Sequence, residues 1–426
     1  MKAVVLAGTL IFAAMSSVAE PNFAPRLSDP VSLVTNGANP TVAFDAKTGA
    51  RFVAWIRPSK SSFEVVVSRS RDDELGYGSP VVVSASDEGI VLSSVSPPQV
   101  AVDPRGEVYV LYERLVPTPY LKSGRGILRL SRSTDGGRSF AMPVDVVTAE
   151  GVETSAEMAN MAIASDGTVV VAWLDYREAI SRAALPEEQR PKVEPWLNSG
   201  QPKVEVRIAR STNGGVSFTP SVLIADTASE RSRVSLTIAP DGTYYSAWRA
   251  KLSQFKGSYD SVRDIVISAS RDGGVSWTSP VKVHDDRFKA GSCPEITHGI
   301  AVDSKGRVHV AWYTGTSVRP GIYYAVSSDQ GKTFSAPLPL LAEGWVPYAD
   351  VKLAVDGSDH VWITFEDRRD DRADQVVLAG IDPQGNPAHL GAWPGRAPDI
   401  TSQAGKVTLV WTAAKGEIRT LQAASM

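Results

Sequence analysis

Arginines stand beside carboxylates and aromatic residues at several points that directly follow short apolar runs. Two examples are Asp175-Tyr176-Arg177 and Glu366-Asp367-Arg368-Arg369. Guanidinium groups make charge-assisted hydrogen bonds to anionic groups, and aromatic rings add apolar contact area, so these residue types suit a polar anionic or sugar ligand. In the alternative interpretation the charges pair with one another across neighbouring loops and only keep the surface soluble. The residues alone leave both interpretations open.

The candidate residues fall into two groups by the chemistry of their side chains. Candidates for a catalytic role are Arg177, Arg249, Arg368, Asp175, Glu113 and Tyr348. Candidates for ligand binding are Arg57, Arg114, Tyr176, Arg369, Arg396 and Trp345.

A different chemistry is suggested by the segment 291–298. It contains the only cysteine of the chain, Cys293, and His298, one of five histidines. A thiolate and an imidazole can ligate copper or zinc. Two ligands do not complete a site, and we favour a free cysteine packed in the interior. We therefore predict no cofactor and keep a metal site at Cys293 and His298 only as an alternative.

The element that must position these residues occurs seven times. Each copy has an alternating run, a tight turn such as Asp-Gly, and a second run rich in β-formers, a pattern that predicts a β-hairpin. The copies occupy residues 39–56, 97–113, 158–175, 232–250, 296–315, 348–367 and 397–413.

A third and a fourth β-run follow most hairpins, and the fourth often begins with Pro-Val, as at residues 80, 143 and 280. Four strands per repeat predict an all-β fold, a single β-propeller over residues 20–426. We favour seven blades, with six as the alternative. The last repeat has only three strands, and residues 29–34 resemble the missing fourth strand. Closing the ring with this N-terminal strand would remove exposed strand edges.

A motif of the form S-x-D-x-G-x-x-[FW] lies between the third and fourth runs. It is found at residues 133–140, 270–277 and 327–334, with Asn for Asp at 211–218 and a degenerate copy from Ser70. In this motif the chain resembles the sialidase (neuraminidase) superfamily, whose bacterial members carry such Asp-box, or BNR, repeats in a β-propeller. An Asp can bond nearby backbone N–H groups while Gly supplies a positive φ, which indicates a structural corner.

Strand order separates the loops into two faces. The turns between strands 1 and 2 and the corners between strands 3 and 4 lie on one face, here called the corner face. The connections from strand 2 to 3, and from strand 4 to the next blade, lie on the other, here called the long-loop face. All the candidate residues above belong to the long-loop face, where binding chemistry is expected. Its longest connection, from Asp175 to about Pro202, contains residues 186–190, a predicted short helix or lid.

The resemblance implies a specific chemistry, and the sequence departs from it. A sialidase binds the sugar carboxylate with three arginines, uses a tyrosine nucleophile assisted by a glutamate, and uses an aspartate as acid/base. The first arginine belongs to an F-R-I-P motif, which is absent, since neither residues 24–27 nor residues 56–58 match it in type and position. Arg177, Arg249, Arg368 and Arg396 remain to form a clamp from other blades. Whether the chain is an enzyme therefore stays open.

The N-terminus and the charge balance concern location and partners. A Lys, an apolar run and Ser17-Val18-Ala19 predict a signal peptide over residues 1–19, cleaved near Ala19, and hence a periplasmic or secreted protein. A net charge of −3 provides no basic field for nucleic acid. No later apolar run is long enough to insert into a membrane.

The sequence thus predicts an exported, sialidase-like propeller that binds a polar, glycan-like ligand on its long-loop face. One alternative is an exo-acting glycoside hydrolase of the exo-α-sialidase type. The other is a periplasmic metal-handling accessory protein that uses Cys293 and His298. A protein partner is left open.

Overall fold

Seven four-stranded antiparallel sheets form a ring in the computed structural model, and this confirms the predicted seven-bladed β-propeller over the six-bladed alternative. The structure describes residues 23–60, 62–71, 76–86, 88–119, 124–147, 153–190, 202–252, 262–289, 296, 298–347, 349–369, 374–403 and 405–424.

Blades 1 to 4 follow one another along the chain, and each runs from an inner strand outwards. Their strands are β3 (Ala38–Phe44), β4 (Arg51–Pro58), β5 (Phe63–Arg69) and β6 (Val81–Val82); β7 (Gln99–Val102), β8 (Val108–Val116), β9 (Arg125–Ser133) and β10 (Val144–Asp145); β11 (Ala156–Ile163), β12 (Val169–Asp175), β13 (Glu205–Ser211) and β14 (Val222–Ala225); and β15 (Ser235–Ile238), β16 (Tyr244–Lys251), β17 (Arg263–Ser270) and β18 (Val281–Lys282).

Blades 5 to 7 complete the ring, because inner strand β27 packs against β3 as well as β23. Their strands are β19 (Gly299–Val302), β20 (Val308–Thr314), β21 (Gly321–Ser327) and β22 (Leu338–Leu341); β23 (Val351–Val355), β24 (Val361–Asp367), β25 (Gln375–Ile381) and β26 (Pro387–Pro394); and β27 (Arg396–Gln403), β28 (Lys406–Thr412) and β29 (Ile418–Ala424).

The N-terminal part of the chain closes blade 7, as the sequence predicts. Strand β2 (Val31–Val34) pairs antiparallel with β29, with Val31 opposite Thr420. The shorter β1 (Arg26–Leu27) pairs with the far end of the same strand. These two segments cover an edge that would otherwise present unpaired backbone groups to solvent. The predicted signal segment, residues 1–19, lies outside the described residues.

The second strand of each blade forms the core, because the neighbouring blades cover both of its faces. Strand β12 is buried along its whole length. Tryptophans on these strands have no more than 1% exposure, namely Trp55, Trp173, Trp248, Trp312, Trp362 and Trp411. Truncating one such ring to alanine costs about 3–5 kcal/mol in a packed interior. The blades are therefore held together mainly by apolar packing between sheets.

The repeated Ser-x-Asp motif forms the corner from the third to the fourth strand. Ser133 Oγ donates to Asp135 Oδ1 at 2.7 Å and accepts the Gly137 N–H at 2.8 Å. Gly137 has φ +83°, a value that favours glycine. Equivalent bonds are made at Asp272, Asp329 and Asn213. These carboxylates are on separate blades and bond their own turns, which fits the predicted structural role.

The long connection of blade 3 contains helix α1 (Arg177–Ala184) and a single 3-10 turn over Glu187–Gln189. The main helix thus begins nine residues before the segment 186–190 for which a helix was predicted. Its Ile180 is buried, and Arg182 pairs with Glu178 one turn earlier. A second 3-10 turn covers Ala414–Gly416. Within the described chain, no helix has the length and apolar character needed to cross a membrane.

Candidate functional site on the long-loop face

Two predicted arginines fold back onto carboxylates of their own strand ends. Arg177 Nε and Nη2 each lie 2.9 Å from an oxygen of Asp175, and Arg369 makes the same bidentate pair with Asp367. The Asp175 side chain is fully buried and also accepts bonds from Thr154 and Trp173. Burial would raise the pKa of Asp175, but these bonds outweigh it and hold the pKa below its usual value. For both arginines the geometry agrees with the alternative interpretation, in which the charged side chains pair with one another.

Arg249 lies inside the ring between blades 4 and 5. Its side chain donates to the backbone carbonyls of Arg263 and Tyr313, each at 2.7 Å, and its guanidinium lies 5.2 Å from the centre of the Phe288 ring. Burial lowers its pKa to about 10, which still leaves the group charged at neutral pH. With 1% exposure, Arg249 joins two blades and does not reach a ligand in solvent.

The other predicted arginines are spread around the rim. Arg57 bonds Glu64 at 2.6 Å on blade 1, and Arg114 lies 3.9 Å from Glu88 on blade 2. Arg368 is half-exposed, 3.5 Å from Asp374 on blade 6, and Arg396 is exposed at the start of blade 7. These four arginines belong to four different blades, and Arg57, Arg114 and Arg368 each pair with a nearby carboxylate.

The aromatic and metal candidates are only partly described. Trp345 is 68% exposed in the connection between blades 5 and 6. Tyr348 and Cys293 lie outside the described residues. His298 is almost fully buried at the inner strand of blade 5, facing the axis of the ring. Among the residues that the structure does describe, no three His, Cys, Asp or Glu side chains come together as metal ligands.

The structure brings a different group together where blades 2, 3 and 4 meet. We call Glu113, Glu157, Tyr176 and Arg231 the carboxyl cluster. Glu113 and Glu157 lie on either side of Gly126, where an added methyl group would come within 2.6 Å of Glu157 Cγ and 3.2 Å of Glu113 Oε1. Two carboxyl groups on adjacent blades are thus close neighbours on the long-loop face.

Glu113 forms the buried part of the cluster. Its Oε2 accepts the Ser96 hydroxyl at 2.6 Å and the Met158 N–H at 3.1 Å. Burial, followed by the nearby charge of Glu157, raises the pKa of Glu113 to about 7, while the two hydrogen bonds and Arg231 oppose the shift. A substantial share of Glu113 is therefore protonated at neutral pH.

Glu157, Tyr176 and Arg231 form the accessible part. Glu157 and Tyr176 are half-buried and Arg231 is exposed. Burial raises the pKa of Glu157, although the Ser155 hydroxyl at 2.5 Å and the charge of Arg231 oppose it. The Tyr176 hydroxyl accepts the Arg231 N–H at 3.3 Å. Burial and then Glu157 raise the pKa of Tyr176, so its hydroxyl keeps its proton.

An ionised carboxylate lies beside this group. Glu230 pairs with Lys251, and its other oxygen is 3.1 Å from Arg263 Nη1. Burial would raise the pKa of Glu230, but Lys251 outweighs it and the pKa is lowered. Glu230 thus stays ionised near Tyr176, while the pKa values of Glu113 and Glu157 are raised. Opposite shifts of this kind separate acid and base roles in hydrolases.

Glu113 also has a structural function that repeats around the ring. In three blades, the side chain that is equivalent to Glu113 in the second strand accepts a backbone N–H from a positive-φ residue of the next blade. The pairs are Glu113 with Met158, Glu366 with Ala397 at 2.7 Å, and Thr412 with Asn39 at 3.2 Å. The residue before the positive-φ position is Glu157 in blade 3 but Arg396 in blade 7. The second carboxyl therefore distinguishes the Glu113 site from the Glu366 site.

Sequence reasoning found Glu113 and Tyr176 but missed Glu157, Glu230 and Arg231. Glu157 lies at the start of inner strand β11, whereas Glu230 and Arg231 lie in the connection between blades 3 and 4, where the single sequence has no repeat pattern to follow. The sequence does contain one indication of the site. When the hairpins are aligned by their turns, Glu113 and Glu366 occupy the strand position that Ile56 and Leu174 occupy in blades 1 and 3. An acidic residue at a position that is apolar in blades 1 and 3 indicates a special environment.

The sequence matches no protein-family model, and no curated protein matches it significantly. Many solved structures share the fold. An ulvan lyase, a polysaccharide lyase, matches with a TM-score of 0.58 at 10% identity, covering 93% of this chain and 95% of the lyase. An α-L-arabinofuranosidase from Fusarium graminearum matches with a TM-score of 0.53 at 11% identity, covering 94% and 98%. The sialidase Hz136, a Hadza microbial enzyme, matches with a TM-score of 0.49 at 15% identity, covering 88% of this chain and 73% of that enzyme.

At these identities the likeness establishes the fold alone. The propellers that resemble this chain are named as enzymes that act on carbohydrates, but a fold can host unrelated functions. A functional conclusion has to rest on the carboxyl cluster.

Proposed function

We propose that this chain is an exported, sialidase-like propeller that binds a polar glycan at the carboxyl cluster of its long-loop face. The observation that carries the proposal is the neighbouring pair Glu113 and Glu157, with Tyr176 and Arg231 at the surface beside them. The carbohydrate-active names of the similar propellers support the ligand class.

The cluster has the donors and acceptors that a sugar needs. A protonated Glu113 both donates and accepts, Glu157 accepts from sugar hydroxyls, and the Tyr176 hydroxyl donates. The Tyr176 ring gives apolar area next to these polar groups, as is common in glycan and small-ligand sites. Arg231 adds a cation at the exposed rim for a ligand that carries an acidic group.

The second candidate function is an exo-acting glycoside hydrolase, and the raised pKa values of the two carboxyls favour it. Glycoside hydrolysis generally uses two carboxyl groups, one of which is kept protonated near neutral pH to act as the acid. Glu113, with a pKa of about 7, has the protonation state that an acid requires. Glu157 would then be the base or nucleophile.

A glycan array followed by a screen of fluorogenic glycosides tests both functions. The decisive variants are Glu157→Gln and, as the matched control, Glu366→Gln, which removes a carboxyl at the repeated strand position on the far side of the ring. We expect Glu157→Gln to weaken binding of the best glycan at least tenfold and Glu366→Gln to leave it within twofold. Turnover in the wild type that is lost in Glu157→Gln would establish the hydrolase. Equal binding by both variants would refute the site.

A further inference from the structure

A polar cavity of about 170 Å³ lies on the axis of the propeller. One inner-strand position of every blade faces it, and the seven residues occupy the same register on their strands. They are Thr41, Gln99, Asn160, Ser235, Gly299, Lys352 and Asp399. Arg233 and His298 add two further polar side chains, and apolar residues such as Met161 and Ile300 complete the lining. We call this space the axial cavity; it has room for a few water molecules or one small ligand.

The axial cavity contains buried nitrogen atoms without hydrogen-bond partners. Lys352 Nζ, Arg233 Nε and both ring nitrogens of His298 make no hydrogen bond. The three residues are 9%, 4% and 1% exposed. Burial lowers the pKa of His298 to about 3, so its neutral ring presents one donor and one acceptor. A buried polar group left unsatisfied is costly, and a charged one more so.

Four other polar side chains of the cavity are already bonded, namely Thr41, Gln99, Ser235 and Asp399. The Gln99 amide bonds the Ala159 carbonyl and accepts the Met161 N–H at 2.9 Å, and Thr41 Oγ1 donates to the Pro98 carbonyl at 2.8 Å. Asp399 Oδ2 accepts the Val42 N–H at 3.0 Å. These bonds tie blade 1 to blades 2 and 7, and blade 2 to blade 3. The polar atoms of the cavity that lack hydrogen-bond partners are therefore mostly donors, and two of these donors belong to the cationic side chains of Arg233 and Lys352.

We propose that the axial cavity binds a small oxyanion, a carboxylate or phosphate group, through Arg233, Lys352 and His298. An oxyanion supplies several acceptor oxygens for these donors, and its negative charge adds to that of the acidic groups beside Arg233 in neutralising the cations. The site is separate from the carboxyl cluster and does not depend on the proposed glycan function.

Two acidic groups face the same cations and make the site sensitive to pH. Asp350 and Asp399 act on Arg233, and burial raises the pKa of Asp399 to about 6 against the opposing Val42 N–H and Arg233. Above pH 6 an ionised Asp399 offsets positive charge at Arg233, with His298 neutral. Below pH 6 Asp399 takes up a proton and the cavity becomes more positive. Oxyanion affinity should therefore rise as the pH falls from 8 to 5.

Isothermal titration and thermal unfolding of the full mature chain test this site. Inorganic phosphate, acetate and citrate are titrated separately at pH 5.5 and pH 8, in a buffer whose only other anion is chloride. The three titrations distinguish a phosphate from a carboxylate ligand. The variants are Lys352→Met and Arg233→Met. Lys60→Met, at an exposed lysine in the connection between β4 and β5, is the control for loss of one positive charge.

We expect at least one of the oxyanions to bind the wild type and Lys60→Met, more tightly at pH 5.5. Lys352→Met and Arg233→Met should bind it at least tenfold more weakly. Without oxyanion, Lys352→Met should have a higher Tm than the wild type, because it removes an unpaired buried ammonium, and its Tm should no longer respond to the oxyanion. Failure of all three oxyanions to bind the wild type, or equal binding by Lys352→Met, would overturn the proposal.

Discussion

Replacing Glu113 by Gln should make the protein more stable at alkaline pH, although it alters a buried hydrogen-bonded side chain. In the folded state the pKa of Glu113 is raised from 4.5 to about 7. A carboxyl with a raised folded-state pKa contributes stability that is fully present below pH 4.5 and is lost as the pH rises through 7. Each pKa unit corresponds to about 1.4 kcal/mol, so the loss is about 3 kcal/mol, shared in part with Glu157.

Glutamine keeps the shape of the side chain without the charge. Its carbonyl oxygen can still accept the Ser96 hydroxyl and the Met158 N–H, which bond Glu113 in the wild type. We therefore expect Glu113→Gln to match the wild type within about 1 kcal/mol at pH 5, the size of one neutral hydrogen bond. At pH 8 it should exceed the wild type by about 2–3 kcal/mol.

Urea unfolding followed by tryptophan fluorescence at pH 5 and pH 8 measures both free energies. The exposed Glu343→Gln controls for a change of one surface charge and should behave as the wild type does. Since Glu157 helps to raise the pKa of Glu113, Glu157→Gln should move the pH-dependent loss to lower pH. If Glu113→Gln is less stable than the wild type at pH 8, the folded state satisfies an ionised Glu113, and the reasoning from burial is wrong.

Three further predictions follow from the fold. Arg177→Ala leaves the fully buried Asp175 without its bidentate partner and should lower the free energy of unfolding by about 3–5 kcal/mol. Arg369→Ala, beside the partly exposed Asp367, should lower it by about 1 kcal/mol. Urea unfolding measures both losses, and equal losses would contradict the burial argument. Removing residues 23–35 uncovers the β29 edge, so the shortened chain should have a lower Tm and should associate on size-exclusion chromatography. An unchanged Tm and elution behaviour would refute the role of β2. Expression with residues 1–19 present should export a chain that begins at Glu20; a full-length mass in the cytoplasm would exclude the signal peptide.

The fold was predictable because its information is local. Each hairpin has its own turn, and each Ser-x-Asp corner bonds within itself, as Asp135 and Asp272 do. Seven such repeats, with one additional N-terminal strand, restrict the ring to very few possible topologies. The pairing of β2 with β29 followed from the missing fourth strand of the last repeat, without any knowledge of long-range contacts.

The site was less predictable because it depends on how blades face each other. Arg249 lies near the end of a second strand and Arg177 just after one, yet Arg249 bonds two backbone carbonyls inside the ring and Arg177 bonds the buried Asp175. Glu157 is the second residue of β11, the first strand of blade 3, and its closeness to Glu113 depends on the distance between two blades. No periodicity in a single sequence encodes that distance.

Hydrogen exchange of the protein with and without its best glycan tests the central claim most directly. The account predicts that protection increases at residues 153–158, 176–184 and 228–233, which surround the carboxyl cluster on the long-loop face. The corners at residues 133–140 and 270–277 should remain unchanged. Protection at the corners, with none around Glu157 and Tyr176, would contradict it.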